Sequence, residues 1–313
     1  MKLHHVIEAQ QFDMPTLLHL FQVTEQMEQV VARGGISEFH NRIMATLFYE
    51  PSTRTRFSFE TAMHRLGGRV ISTENAGDFS SAAKGETLED TIRIMNGYAD
   101  VIVIRHYELG SARRAAAVSR VPIINAGDGA GQHPTQSLLD LYTIRKEIGS
   151  IDGLRIAMVG DLANGRTARS LAYLLSKFRD VKIHFVAPPL LKMKEDILAH
   201  LQERHVWYAE ETDLDKVLPD VDVVYQTRIQ KERFGDRLAD YEKCRGVYVL
   251  NGRSLRLMKP RSIIMHPLPR LEEISMEVDS DPRAAYFRQA QNGLYVRMAL
   301  LSLVLGSGTP AAA

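Results

Sequence analysis

The chain has 313 residues, 39 Lys+Arg against 38 Asp+Glu for a formal net charge of +1, and 45% hydrophobic residues. That length exceeds what one hydrophobic core usually carries, so about two domains of about 150 residues, with a cleft, are expected, and the near-neutral charge excludes the global basic field of a nucleic-acid binder. Cys244 is the single cysteine, which excludes an intrachain disulfide framework and a Cys-rich zinc site, fits a reducing compartment and reads as a plain buried thiol.

Leu17, Leu20, Phe21, Thr24, Met27, Val30 and Val31 recur at helical spacing over 16–33, and Gly34-Gly35 supply the stop. Short apolar runs then alternate with helical patterns. Strands are expected at 42–48, 69–72, 101–104 and 121–124, with helices from about Thr55, over 87–98, around 111–119 and over 135–148. The run GlySerIleAspGly at 149–153 breaks the pattern, and new strands are expected at 154–160, 182–186, 221–225, 247–250 and 262–265. This alternation predicts an α/β chain of two domains, each a parallel sheet flanked by helices. The apolar helical pattern from Ala285 to Leu305 is long enough to pack back on the first domain. The expected division is therefore 1–149 together with the helix at about 285–306, and 150–284. The closing GlySerGlyThrProAlaAlaAla reads as a frayed tail. The opening residues lack a signal-peptide core, and no run approaches the roughly 18 apolar residues of a membrane span, so a cytoplasmic protein is expected.

Ligands of open α/β sheets sit beyond the carboxyl ends of the strands, which directs attention to the residues after each apolar run. They are rich in anion-binding groups: Tyr49 to Arg56 after the first run, Arg105-His106 after the third, and a glycine-rich segment ending in His133 and Gln136 after the fourth. In the second half, Arg166 follows the 154–160 run, Gln226-Thr227-Arg228 follows 221–225, and His266-Pro267-Leu268-Pro269 follows 262–265. SerThrArgThrArg puts hydroxyls and free N–H groups at a helix start, where Ser52 or Thr53 can cap and a phosphate gains the dipole and a guanidinium fork. Arg54 and Arg56, two apart on a helix, face different sides, so Arg54 is assigned to the ligand and Arg56 to structure. Standing alone, the segment reads first as an ordinary capped helix with solvated arginines. A lone histidine is likewise ordinarily a satisfied core or surface group, and the glycine-rich approach is what singles out His133. Gly160 and Gly165 do not make GxGxxG, which argues against a nicotinamide site, and neither HExxH nor a carboxylate-rich cluster suggests a metal.

PheTyrGluProSerThrArgThrArg at 48–56, HisProThrGln at 133–136 and HisProLeuProArg at 266–270, in that order and spacing, resemble the aspartate and ornithine carbamoyltransferase family. The resemblance runs over nearly the whole chain. It implies a metal-free and cofactor-free transfer of the carbamoyl group of carbamoyl phosphate to an amine, within de novo pyrimidine (UMP) biosynthesis for the aspartate branch. Aspartate carries two carboxylates and calls for more positive partners than ornithine; Arg166, Arg228 and Gln230 match the family's aspartate-binding positions, and HisProLeuPro resembles the aspartate branch, since the ornithine branch carries cysteine there. The alternatives are a carbamoyltransferase for ornithine or a related amine, and a noncatalytic anion-binding paralogue.

The resemblance further implies roles for single residues. Ser52, Thr53, Arg54 and Thr55 take the phosphate, Arg105 bridges phosphate and carbonyl oxygen, and His133 with Thr55 completes an oxyanion site. Gln136 and the backbone carbonyls of Leu268 and Pro269 hold the carbamoyl NH₂. Arg54, Thr55, Arg105 and His133 form the catalytic set, and Lys84, Arg166, Arg228 and Gln230 bind aspartate. The 76–86 segment looks like the loop that family members lend to a neighbouring subunit, so Ser80 and Lys84 would act in trans in a homotrimer with shared sites. Ala83 departs from the family, where a second lysine is common. Whether a trimer stands alone or joins a regulatory chain or another pyrimidine-pathway enzyme is left open. Neither nucleic acid nor membrane is implied.

Overall fold

The computed structural model describes residues 3–76, 84–129, 131–231 and 234–306, so the Ser80 and Ala83 assignments and the tail beyond Gly306 lie outside the described residues. The chain divides into two compact units, Met1–Leu138 with Asn292–Ala313, and Leu139–Gln291. The turn at 149–153, where the sequence rhythm restarts, lies inside the second unit.

In the first unit, β1 (Ile43–Phe48), β2 (Arg69–Glu74), β3 (Val101–His106) and β4 (Ile123–Asp128) form a parallel sheet ordered β2-β1-β3-β4. The inner strands are apolar without alternation because both faces are covered: Met44, Ala45, Phe48 and Val101 to Ile104 are all buried. Strand β4 starts two residues later than its apolar run, since Pro122 has no N–H for the ladder and offers only its carbonyl, to Ile102. Helix α1 (Met14–Ala32) opens with Asp13 accepting the Thr16 N–H at 2.9 Å and Pro15 in the first turn. It buries Leu17, Leu20, Phe21, Thr24 and Met27 on one face, with each large apolar side chain contributing about 1.5–3 kcal/mol. Helices α2 (Thr53–Arg65), α3 (Leu88–Met95), α4 (Ser111–Val118) and α5 (Pro134–Ile148) follow successive strands, and α3 stops short of the expected Tyr98 because Asn96-Gly97 form a turn.

In the second unit, β5 (Arg155–Val159), β6 (Lys182–Val186), β7 (Trp207–Glu211), β8 (Val223–Gln226) and β9 (Ile263–Met265) form a parallel sheet ordered β7-β6-β5-β8-β9. Helices α6 (Arg166–Leu175), α7 (Glu195–Glu203), α8 (Leu214–Val217), α9 (Leu238–Cys244) and α10 (Gly252–Leu257) connect them. Two expectations are corrected here. The apolar run 247–250 is no strand: Leu250 makes only an isolated bridge to Ile274, and Tyr248 and Leu250 are buried in the core around Val159, Val224 and Ile264. Burial selected those residues without a ladder. The true further strand, β7, lies at the sheet edge, where Trp207 and Glu210 are exposed and no apolar run is demanded.

The long C-terminal helix α11 (Tyr286–Leu305) belongs to the first unit from Asn292 onward, as its length suggested. Arg297 Nη1 donates to Ser58 Oγ at 2.9 Å, its guanidinium lies 5.2 Å from the Phe59 ring centre, and the Leu303 carbonyl accepts the Leu3 N–H at 3.2 Å. Among the described residues no helix is long and apolar enough to cross a membrane. Cys244 is buried beside Leu191 and Phe234, and burial pushes its thiol above the ordinary range.

Candidate active site

Parallel register brings the carboxyl ends of the first unit's strands into line. Phe48 pairs with Glu74 on one side and Arg105 on the other, and His106 pairs with Asp128. The segments carrying Ser52 to Arg56, Arg105 and His133 therefore leave the same sheet edge.

The start of α2 is open. Ser52 occupies the cap position, but its side chain makes no cap hydrogen bond, contrary to the capping role considered for it. The first intrahelical bond is from the Arg56 N–H to the Ser52 carbonyl at 3.0 Å, which leaves the N–H groups of Thr53, Arg54 and Thr55 without a partner in the helix. Thr55 is buried, Thr53 and Arg54 are exposed, and Ser52 is half-buried. Arg54 makes no hydrogen bond or ion pair among the described residues, and partial burial of its guanidinium lowers its pKa. Arg56 is engaged elsewhere: its terminal nitrogens reach Glu74 at 2.9 Å, Ser72 at 3.3 Å and Glu60 at 3.5 Å.

Arg105 is held from both flanks, with Nη1 donating to the Ala126 carbonyl at 3.2 Å and Nη2 lying 3.3 Å from Glu50 Oε2. Its guanidinium is thereby kept at the edge of the sheet. Asp128 organises the glycine-rich segment, accepting from the Gly110 N–H at 3.0 Å and the Gln132 N–H at 2.7 Å. Gly129 has φ +53, and an added Cβ there would lie 2.4 Å from the Tyr107 carbonyl oxygen, so no side chain fits. This tight turn delivers His133 and Gln136, both buried, to the start of α5; His133 Nδ1 lies 3.5 Å from Thr135 Oγ1. Glu50 and Asp128 were not singled out in the sequence. Glu50 meets Arg105 across neighbouring strands, and Asp128 gathers the distant Gly110 N–H as well as the Gln132 N–H four residues on.

The second unit builds a comparable edge. Gly160 has φ +113, and a Cβ there would sit 2.4 Å from the Thr227 carbonyl oxygen, so only glycine lets the ends of β5 and β8 approach this closely. Thr227 then anchors through its N–H and Oγ1, each donating to the Val159 carbonyl at 2.8 Å. Buried Asp161 accepts the Asn164 N–H at 3.0 Å and fixes the loop that starts α6 with Arg166. Arg228 and Gln230 leave the end of β8, half-buried, and Arg228 lines a shallow cleft with Tyr241, Tyr248 and the ion pair Arg245–Glu272. The turn after β9 carries Leu268 at φ +53 and a cis Leu268–Pro269 bond. Lys84, in the first unit, is exposed.

Residues 4–146 match the aspartate/ornithine carbamoyltransferase carbamoyl-P binding domain, and residues 152–304 match the Asp/Orn binding domain of the same family. The chain belongs to the aspartate/ornithine carbamoyltransferase family. It is 60% identical over 305 residues to aspartate carbamoyltransferase 1, chloroplastic, of Pisum sativum, covering 97% of this chain and 79% of the relative. Among solved structures it is similar to the catalytic subunit of M. jannaschii aspartate transcarbamoylase, with 48% identity, TM-score 0.90 and coverage of 96% and 98% of the two chains. It is also similar to the Trypanosoma cruzi aspartate transcarbamoylase in complex with carbamoyl phosphate and aspartate, with 42% identity, TM-score 0.92 and 97% of both chains covered.

In this carbamoyltransferase the open start of α2 offers an anion three backbone N–H groups, the positive end of a helix dipole and a free guanidinium. Dipole and N–H groups are fixed by the backbone, so they need no reorganisation when charge develops on a bound group. The sequence-assigned groups among the described residues thus fall into two sets, each within its own unit: Ser52, Thr53, Arg54, Thr55, Lys84, Arg105, His133 and Gln136 in the first, and Arg166, Arg228, Gln230, Leu268 and Pro269 in the second.

Proposed function

We propose that the chain transfers the carbamoyl group of carbamoyl phosphate to the amino group of L-aspartate, giving N-carbamoyl-L-aspartate and phosphate. The observation that carries this reading is the exposed, unpartnered Arg54 at an uncapped helix start, in a family member whose relatives are named for aspartate rather than ornithine. Both substrates are polyanions, and bringing them together costs Coulomb energy that cationic groups must offset. Ser52, Thr53, Arg54 and Thr55 take the phosphate, Arg105 bridges phosphate and carbonyl oxygen, and His133 with Thr55 receives the developing oxyanion. Gln136 and the Leu268 and Pro269 carbonyls hold the carbamoyl NH₂, while Lys84, Arg166, Arg228 and Gln230 bind the aspartate carboxylates.

The neutral amine attacks the carbamoyl carbon, the new C–N bond forms as the C–O bond to phosphate breaks, and the departing phosphate accepts the amine proton. Oriented donors at the carbonyl oxygen contribute about 3 kcal/mol each. The product feeds de novo pyrimidine biosynthesis in this reading. A homotrimer in which Ser80 and Lys84 complete a neighbour's site, a cytoplasmic location and association with a regulatory chain or another pathway enzyme extend the same proposal; the plant relative is chloroplastic by name. Incubation of the purified chain with labelled carbamoyl phosphate and either L-aspartate or L-ornithine tests the reaction. Carbamoyl aspartate is the expected product, and citrulline alone, or no product, overturns the assignment.

A further inference from the structure

The second unit holds a buried polar chain that ends on the turn after β9. Tyr225 Oη donates to Asp140 Oδ2 at 2.8 Å, Gln289 Nε2 donates to Asp140 Oδ1 at 2.6 Å, and Gln289 Oε1 accepts the His266 N–H at 2.8 Å. Burial first, and Asp140 second, hold the Tyr225 hydroxyl well above its usual range, so it stays a donor. The same turn is gripped from its other end. His266 Nε2 lies 2.8 Å from Glu273 Oε1, His266 Nδ1 accepts the Leu268 N–H at 2.8 Å, and the Leu271 N–H reaches both Glu273 oxygens at 3.2 Å.

A ring nitrogen that accepts a backbone N–H carries no proton, so the one imidazole proton sits on Nε2 and is donated to Glu273. The charge states agree. Burial lowers the His266 pKa and keeps the ring neutral; burial alone would raise Glu273, but the His266 bond and backbone N–H groups bring its carboxyl below the ordinary range. Leu268 meanwhile sits at φ +53, a left-handed conformation that disfavours a branched side chain, and its N–H is held by His266 Nδ1. A buried acid–histidine pair contributes little net stability, since desolvation offsets most of its attraction. What it does fix is the direction of the backbone at residues 268 and 269.

We propose that Glu273 is a positioning residue for the transfer reaction: by fixing His266 as the Nε2–H tautomer it makes Nδ1 the acceptor for Leu268 N–H, and so aims the Leu268 and Pro269 carbonyls that receive the carbamoyl NH₂. This rests on the activity proposed above. The logic parallels a metal site, where the group behind a histidine fixes the tautomer in front.

Three variants test it. His266→Asn keeps a side-chain oxygen near the place of Nδ1, whereas His266→Gln keeps a group near Nε2 and loses the acceptor for Leu268. Glu273→Gln retains one acceptor oxygen and turns an NH₂ toward other donors. Loss of the aimed carbonyls lowers kcat about 10-fold and raises KM for carbamoyl phosphate in Glu273→Gln and His266→Gln, with KM for aspartate held within about 2-fold. His266→Asn recovers most of the rate. Equal defects in His266→Asn and His266→Gln, or parallel changes in both KM values, overturn the positioning role. If Glu273→Gln does not fold, the two His266 variants decide alone. A wild-type chain that forms no carbamoyl aspartate overturns the underlying activity instead, which separates the two failures.

Discussion

Arg54 and Arg56 stand two residues apart in one helix turn, and replacing each by alanine should give opposite phenotypes. Arg54 is exposed and makes no hydrogen bond or ion pair among the described residues, so its removal leaves folding almost untouched. Surface changes of this kind stay within about 0.5 kcal/mol, or roughly 1–2 °C in Tm for a chain of this size. Its loss from a bound phosphate removes about 3 kcal/mol of transition-state stabilisation, and at about 1.36 kcal/mol per decade kcat falls about 100-fold or more. Arg56 shows the reverse. Its side chain is 17% exposed and reaches Glu60 and Glu74, themselves 18% and 35% exposed, so solvent screens the pairs only in part. Arg56→Ala leaves two part-buried carboxylates uncompensated at a cost of about 1–2 kcal/mol, roughly 2–8 °C in Tm. Steady-state assay of carbamoyl aspartate and a thermal melt of both variants measure the contrast. Normal turnover in Arg54→Ala removes that residue from the phosphate site, and a collapsed Tm in the same variant means that its role is structural.

Arg228→Ala is predicted to raise KM for aspartate about 10- to 100-fold through loss of charge-assisted hydrogen bonds, with a smaller change in KM for carbamoyl phosphate; equal changes in the two constants would count against a role in aspartate binding. Subunit sharing predicts that inactive Lys84→Ala and Arg54→Ala proteins, dissociated and reassembled together, regain activity, and a mixture that stays inactive refutes sharing. Burial lowers His106 and His266 from the usual value of 6.5, so the unfolded chain takes up protons on both before the folded chain does. Their contribution to stability is full above about pH 6.5 and is lost as pH falls through the depressed folded values, so Tm should fall as the pH is lowered below about 6.5. His266→Asn should make that slope shallower, and an unchanged slope would remove His266 from the explanation.

Local chemistry wrote much of this protein directly into its sequence. Apolar runs announced β1, β3, β5 and β8 because both faces of a parallel sheet are covered, and the helical period of 286–305 announced a helix with a long apolar face. The anion-binding turns were legible for the same reason: Ser-Thr-Arg-Thr-Arg at a helix start and glycines before His133 carry their chemistry in adjacent residues. Where burial and hydrogen bonding came from elsewhere in the chain, the sequence was silent or misleading. Tyr248 and Leu250 are apolar because they pack into a core, whereas the edge strand β7 is only partly covered, with Trp207 and Glu210 exposed, and so needs no apolar run. Glu50, Asp128 and Glu273 were given no role from the sequence, and the structure sets them against Arg105, the Gly110 and Gln132 N–H groups, and His266. A charge takes its meaning from the partner that folding brings within 3 Å or so: strand pairing sets Arg105 beside Glu50, and the turns after β4 and β9 set Asp128 and Glu273 against their donors.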